Sequence, residues 1–262
     1  PEMTMTVNGR NELSQARRIV VKVGSSSISG ENAAQINLIV EALAEAHALG
    51  VEVVLVSSGA IATGLPLLNL TEKPDDLATQ QALASVGQSR LISRYQASLE
   101  RYNIIAGQVL LTSGDMEEEE TRLNAKRAMD KLVSLRVLPI VNENDTVATA
   151  EIRFGDNDRL AALVAVLVEA EALVLLSDVD ALYDMPPTKP GAKRIERVAY
   201  GADLSNVEVG GSSSAVGTGG AVTKVGAAKL ATASGVSVLL TSTDNVSAAL
   251  EGQAVGTWFE SE

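Results

Sequence analysis

Two lysines in this chain stand beside glycine turns, and lysine next to glycine-rich backbone is chemistry suited to holding phosphate. Lys22 lies inside the apolar run "VVKVGSSS", flanked by Val21 and Val23 and separated by one residue from the Gly24-Ser25-Ser26-Ser27 turn. An ammonium buried in such a run is costly without an anionic partner; the alternative is an edge lysine that snorkels to water. Lys224 sits in "VGTGGAVTKV", residues 216–225, where glycines lead through a lysine into a helical pattern. Successive backbone amides running into a helix N-terminus form an anion-binding concavity. Two familiar fingerprints fail here. Counting from Gly217, the glycine required by a Walker A loop falls on Val222, and the third glycine of a dinucleotide fingerprint falls on the same residue. A general anion cradle survives, with a plain loop entering a surface helix as the alternative.

Three further stretches end apolar runs in polar groups. "VSSGAIATG", residues 56–64, offers the hydroxyls of Ser57 and Ser58 and the amide of Gly59, suited to a carboxylate or phosphate or simply to capping a helix. "NENDTVATAEIRFGDNDRLAA", residues 142–162, gathers Asn142, Glu143, Asn144, Asp145, Asp156, Asn157 and Asp158 ahead of an apolar helix. That is more short polar side chains than capping requires; they suit binding a substrate ammonium, orienting lysines, or holding magnesium through water. "LLSDVDALYD", residues 175–184, ends in Ser177, Asp178 and Asp180, which fit a turn or a nucleotide contact equally. The chain's single histidine, His47, lies in a helix of structural character, which leaves no Ser-His-Asp triad and no histidine metal site. Two lysines, a helix N-terminus and an acidic polar loop are what phosphoryl transfer asks for, because that reaction mainly positions two anions and neutralises their charge. A carboxylate acceptor is already ionised at neutral pH and needs no general base.

The elements that must position these groups follow an alternating pattern. β-Branched runs predict strands at 17–24, 51–59, 104–111, 137–141, 172–177 and 236–240. Ile36, Ile39, Val40, Leu43 and Ala46 recur at helical spacing between the first two strands, and Gly50 supplies the stop. Further helices are expected over 76–101, 122–135, 158–169 and 221–234. Strands alternating with helices imply an α/β fold, a mainly parallel sheet covered on both faces, whose ligands gather at the carboxyl ends of the strands. Residues 183–216, with three prolines and "GGSSS", read as a loop excursion or short hairpin, and "MEEEETR" at 116–122 as a solvated helix N-terminus favoured by the dipole.

The bulk properties narrow the partners. A formal charge of −12 argues against a nucleic-acid groove or an anionic membrane surface. With no cysteine there are no disulfides or thiolate metal sites, in keeping with a cytoplasmic protein. The apolar run 160–168 is too short to span a bilayer, and no signal peptide is evident. Residues 1–14 are set aside as a flexible tail, with one domain over 15–260.

Taken together, "VVKVGSSSIS", "VSSGAIATG", "QALASVGQSRL", "VNENDTVATAEIRFGDNDRLAA", "LLSDVDALY" and "GTGGAVTKVGAA" resemble the amino acid kinase family from about Arg17 to Phe259. The likeness is greatest to members acting on the side-chain carboxylate of L-glutamate, above sister kinases of acetylglutamate, aspartate, uridylate or carbamate. The resemblance implies a three-layer αβα sandwich and ATP-dependent formation of γ-glutamyl phosphate, the first step of proline synthesis, with Mg2+. It implies that Lys22 and Lys224 contact the ATP phosphates and the transferring group, and that Asp158 organises the two lysines. Ser58, Gly59, Asp145 and Asn157 match substrate-binding positions, Asp145 pairing with the α-ammonium, while the amides near Gly24 and Gly59 face the reacting carboxylate and Gly24 counts with Lys22 among the nucleotide-binding positions as well. Ser177 and Asp178, and the run Thr218, Gly219, Gly220, Ala221, Val222, Thr223 and Lys224, match nucleotide-contacting segments, so the part from about residue 170 is expected to bind nucleotide and the part before it glutamate. Relatives are commonly homo-oligomers inhibited by proline, and the labile product suggests coupling to glutamyl-5-phosphate reductase. Ser57 stands where relatives often have threonine, and the sequence stops soon after "VGTWFE", where many relatives continue into a PUA domain. A sister kinase acting on another small carboxylate, or a sensor without turnover, are the competing readings.

Overall fold

The computed structural model describes residues 7, 9–148, 157–204 and 221–262. Among them, eight strands form one sheet: β1 (Arg18–Val23), β2 (Glu52–Ser57), β3 (Ala106–Leu111), β4 (Leu138–Glu143), β5 (Ala172–Ser177), β6 (Arg197–Val198), β7 (Ser237–Ser242) and β8 (Thr257–Phe259). The order is β3-β4-β2-β1-β5-β7-β8-β6, and every pairing is parallel except β7 with β8. Burial on both faces explains why β1, β4 and β5 read as largely apolar runs without alternation: each of their residues is buried, Arg18 and Lys22 of β1 and Asn142 and Glu143 of β4 included.

Helices cover both faces. On one side lie α1 (Gln35–Ala48), α3 (Leu77–Glu100) and α8 (Val246–Leu250), packed with Val21, Val23, Leu55 and Trp258. On the other lie α4 (Ser113–Glu117), α5 (Glu119–Ser134), α6 (Asp158–Leu167) and α7 (Ala221–Thr232), packed with Val20, Val54, Val56 and Leu175. α2 (Ala60–Leu67) follows β2 and rides on α3. This is the expected αβα sandwich. Side chains on β1 alternate, so Val21 and Val23 face α1 whereas Val20 and Lys22 face the α6 and α7 layer. β1 is also where the chain order reverses: one half of the sheet runs outward through β2, β4 and β3, the other through β5 and β7. The carboxyl ends of β1 and β5 therefore flank the crevice in which ligands of open α/β sheets bind.

Several boundaries differ from the sequence expectation. α5 begins at Glu119, not at 122, because extended Glu118 separates it from α4, whose start is fixed by a capping box between Thr112 and Asp115. The three-residue β8 carries too short a signal to be read. Within the stretch set aside as a tail, Arg10–Gln15 form a 3₁₀ turn with Leu13 buried, and the Arg10 guanidinium donates to the carbonyl of Val255 at 2.7 Å. In the excursion after β5, Tyr183 and Arg194 form an antiparallel bridge, so its described part is a hairpin; residues 205–216 lie outside the described residues.

α2 and α3 touch backbone to backbone. A Cβ on Gly87 would stand 1.6 Å from the Ala60 carbonyl oxygen, and one on Gly64 would stand 2.3 Å from that of Leu83. No rotamer change relieves a clash with backbone, so the helices would have to separate and reopen packed apolar surface. Gly87→Ala is expected to destabilise the fold by roughly 2 kcal/mol or more, lowering Tm by about 4 °C or more; a thermal melt unchanged from the parent would contradict this close contact.

Candidate active site

The site grows from the residue the sequence made most conspicuous. Lys22 is wholly buried, near the carboxyl end of a strand hydrogen-bonded on both sides, so the snorkelling alternative fails. Its Nζ lies 2.7 Å from Oδ1 of Asp158, which is also buried. Asp158 is the first residue of α6, where the helix dipole favours a negative charge. The other carboxylate oxygen, Oδ2, accepts from Lys224 Nζ at 3.1 Å and from Thr223 Oγ1 at 2.9 Å. Lys224 lies in the first turn of α7, 6% exposed. One carboxylate thus bridges two ammonium groups carried by β1 and α7. Burial pushes the Asp158 carboxyl up, but the charges and hydrogen bonds of Lys22 and Lys224 outweigh it and hold the group below the ordinary carboxylate range.

A second cluster lies at the ends of β2 and β4. β2 leads through Ser58 into Gly59, whose φ of 106° is a left-handed turn that glycine adopts without strain, and α2 starts at the next residue. Neither serine caps that helix. Ser58 turns back, donating from N and Oγ to the Val23 carbonyl at 3.1 and 3.2 Å, which ties the turn to the end of β1. Ser57 Oγ donates to the Ser58 carbonyl and lies 2.9 Å from the Tyr95 hydroxyl. Asn157 precedes α6 in a left-handed conformation, φ 53°, which asparagine tolerates better than most residues. Its Nδ2 donates to the Ser57 carbonyl at 3.1 Å and to Asn142 Oδ1 at 3.0 Å, so the residue before Asp158 is pinned to β2 and β4.

The remaining expected positions fall around these clusters. Gly24 follows β1 and opens the 3₁₀ turn Ser25–Ser27. Asp145 lies half-buried in the turn after β4. Ser177 ends β5 beside β1, its Oγ accepting from the Val179 amide and donating to Asp178 Oδ1, with Asp178 exposed. Ala221 begins α7 and the Val222 side chain is 84% exposed. Thr218, Gly219 and Gly220 lie outside the described residues. The geometry thus joins Lys22, Asp158, Thr223 and Lys224 directly, joins Ser58, Gly59 and Asn157 through Ser57, and sets Ser177 and Asp178 at the neighbouring strand end. His47 lies near the end of α1, which leads into the amino end of β2, away from this cluster, and its Nε2 meets the Arg136 carbonyl at 3.1 Å. Sequence reasoning did not single out Gln88, Tyr95 or the orienting role of Asn142. A Gln and a Tyr seven apart on one helix face are the only signal they leave.

Comparison with known proteins speaks for the family and the fold. The model of the Amino acid kinase family matches residues 17–242. This chain belongs to the amino acid kinase family. It is similar to the protein named Glutamate 5-kinase from Clavibacter sepedonicus, 67% identical over 97% of this chain and 98% of that protein. It is similar also to Glutamate 5-kinase from Leifsonia xyli subsp. xyli, 66% identical over 97% and 95%. Against Glutamate 5-kinase from Streptomyces avermitilis it is 55% identical over 95% of this chain and 68% of the relative. Among solved structures, carbamate kinase from Giardia lamblia bound to AMP-PNP aligns with a TM-score of 0.67 at 15% identity, covering 95% of this chain and all of that one. Isopentenyl phosphate kinase aligns at 0.65 and 17% identity, over 92% and 99%. At such identities these two structures speak for the amino acid kinase fold alone.

Removing the bridging carboxylate leaves two ammonium groups facing one another in the interior. Asp158→Asn is expected to cost roughly 3–5 kcal/mol of stability, measured by urea unfolding at neutral pH. Because the folded carboxyl titrates below its unfolded value of about 4, the stabilisation is fully present above that pH and is lost as pH falls through the folded value. The gap between parent and variant should therefore hold at neutral pH and begin to narrow only below about pH 4; an equal stability for the two at pH 7 would contradict the bridge.

Proposed function

We propose that this chain transfers the γ-phosphoryl group of ATP to the side-chain carboxylate of L-glutamate, giving L-glutamyl 5-phosphate and ADP, the first step of proline synthesis. The observation that carries the reading is the Lys22–Asp158–Lys224 bridge at the crevice between β1 and β5, the place where an αβα fold binds its ligands. The identity of the acceptor is supported by relatives at 66–67% identity over nearly the whole chain that bear the name Glutamate 5-kinase.

The chemistry follows from the charges. A glutamate carboxylate oxygen attacks the γ-phosphorus in line; the new O–P bond forms as the bond to the β-phosphate oxygen breaks, and ADP departs with that electron pair. The nucleophile is already ionised, so no residue has to take a proton. The protein's task is to bring two anions together and to neutralise charge spreading over the phosphoryl oxygens. Lys22, on β1, would lie nearest the transferring group, and Lys224, on α7, would serve the nucleotide side. Asp158 keeps both ammonium groups aimed before any ligand arrives. On the acceptor side, Ser58, the Gly59 turn and Asn157 would bind glutamate with Asp145 on its α-ammonium, while Gly24, Ser177, Asp178 and residues 218–224 would hold nucleotide. Among the described residues no three acidic or histidine side chains gather as a metal cage, so Mg2+ enters this reading as part of the nucleotide substrate, held by its phosphates and water and supplying further neutralisation there.

Among the described residues no helix is long and apolar enough to cross a membrane. A cytoplasmic homo-oligomer, inhibition by proline and hand-over of the labile acyl phosphate to glutamyl-5-phosphate reductase complete the proposal. These rest on the family likeness, not on the geometry. Lys22→Ala and Lys224→Ala are each expected to lower kcat by about a hundredfold or more. The readout is glutamate-dependent ADP release together with the hydroxamate formed on trapping by hydroxylamine. Turnover of acetylglutamate or aspartate with none of glutamate would replace the acceptor, and undiminished rates in both variants would strip the lysines of their roles.

A further inference from the structure

The outer helix α3 sends two polar side chains inward on one face. Gln88 and Tyr95 are seven residues apart, two helical turns, so they project in the same direction. Gln88 Oε1 accepts from Asn142 Nδ2 at 2.8 Å. Asn142 Oδ1 in turn accepts from the backbone amide of Glu143 at 2.8 Å and from Asn157 Nδ2 at 3.0 Å. Asn157 Nδ2 makes its second bond to the Ser57 carbonyl.

The orientation of all three amides is fixed by backbone groups whose roles are not interchangeable. The Glu143 amide can only donate, so the Asn142 atom facing it is the oxygen and its nitrogen faces α3. Gln88 must then present its oxygen. The Ser57 carbonyl can only accept, so Asn157 presents its nitrogen there. The remaining carbonyl oxygen of Asn157 is thereby given one direction and is left as its acceptor. If the chain were broken at Gln88, Asn142 would lose the only side-chain acceptor described for its nitrogen, and the amide plane on which Asn157 leans would be held at its oxygen alone. Asn157 immediately precedes Asp158, so its orientation also bears on the lysine bridge.

We infer that Gln88 is a positioning residue for the acceptor side of the site: by anchoring the nitrogen of Asn142, it holds rigid the network in which the backbone orients Asn157, without touching either substrate. The inference rests on the proposed reading for the identity of the acceptor, but not for the hydrogen-bond chain itself. Gln88 is only half-buried, so it is open to substitution without a core defect.

Two variants separate positioning from bulk. Gln88→Leu removes the acceptor at similar size, and Gln88→Glu restores a carboxylate oxygen at the same reach. For Gln88→Leu, KM for glutamate is expected to rise about tenfold or more while KM for ATP stays within about twofold and Tm falls by a few degrees at most, and Gln88→Glu should return KM for glutamate to within about threefold of the parent. Equal rises in both KM values, or a KM for glutamate in Gln88→Leu like the parent's, would overturn the inference. A second readout is independent of the substrate: NMR of the Asn142 and Asn157 side-chain amide protons. Slow exchange in the parent and in Gln88→Glu, with fast exchange in Gln88→Leu, supports the chain, and protection unchanged in Gln88→Leu overturns it. If the parent leaves glutamate unphosphorylated, the proposed function falls while the amide protons still decide the positioning.

Discussion

The described site depends on one carboxylate shared by two ammonium groups. Asp158, Lys22 and Lys224 are all buried, and none of the three would be tolerable there alone, since a lone ion in the interior costs several kcal/mol. Their mutual satisfaction is what lets a lysine occupy the middle of a parallel sheet. Two positive charges against one negative also leave the cluster with an excess positive charge inside a protein whose formal net charge is −12. An anion is thus drawn to this spot by local charge and not by the overall field.

That cluster forms only because separate parts of the fold deliver its members to one place. β1 lies at the point where strand order reverses, which puts Lys22 at the mouth of the crevice. α6 then returns to β1 with Asp158 at its first residue, and α7 packs on α6 and brings Thr223 and Lys224. A helix N-terminus, a strand end and a second helix meet at a single carboxylate. Because the partners are set by packing, the reorganisation that solvent would need is already complete before a substrate binds. The buried Tyr95 hydroxyl belongs to the same plan. Burial pushes it far from ionising, so it stays a neutral donor to Ser57 across ordinary pH.

Much of this was legible in the sequence, and the pattern of success has physical causes. Lys22 declared itself because an ammonium amid Val21 and Val23 demands a partner. The αβα layering followed from largely apolar, non-alternating strands between segments of helical periodicity. The polar run 142–162 flagged Asn157 and Asp158, because short polar side chains before an apolar helix are rarely idle. What stayed hidden were properties that spacing does not encode. The direction of Asn142 is decided by a backbone amide, and Gln88 on an exposed-looking helix resembles any solvated glutamine. β8 has three residues and little periodicity to read, and the docking of Arg10–Gln15 depends on carbonyls some 245 residues away.

The contact between Gly64 and Gly87 has a practical meaning for anyone who would reshape the turn after β2. Ser58 and Gly59 open directly into α2, and α2 is seated on α3 without side chains between them to yield. The turn Ser58–Gly59 can therefore be altered in its chemistry, by exchanging the groups it presents, far more readily than in its location. Any added space beside that turn has to be found on the β4 side, because the helix pair behind β2 has no slack left to give.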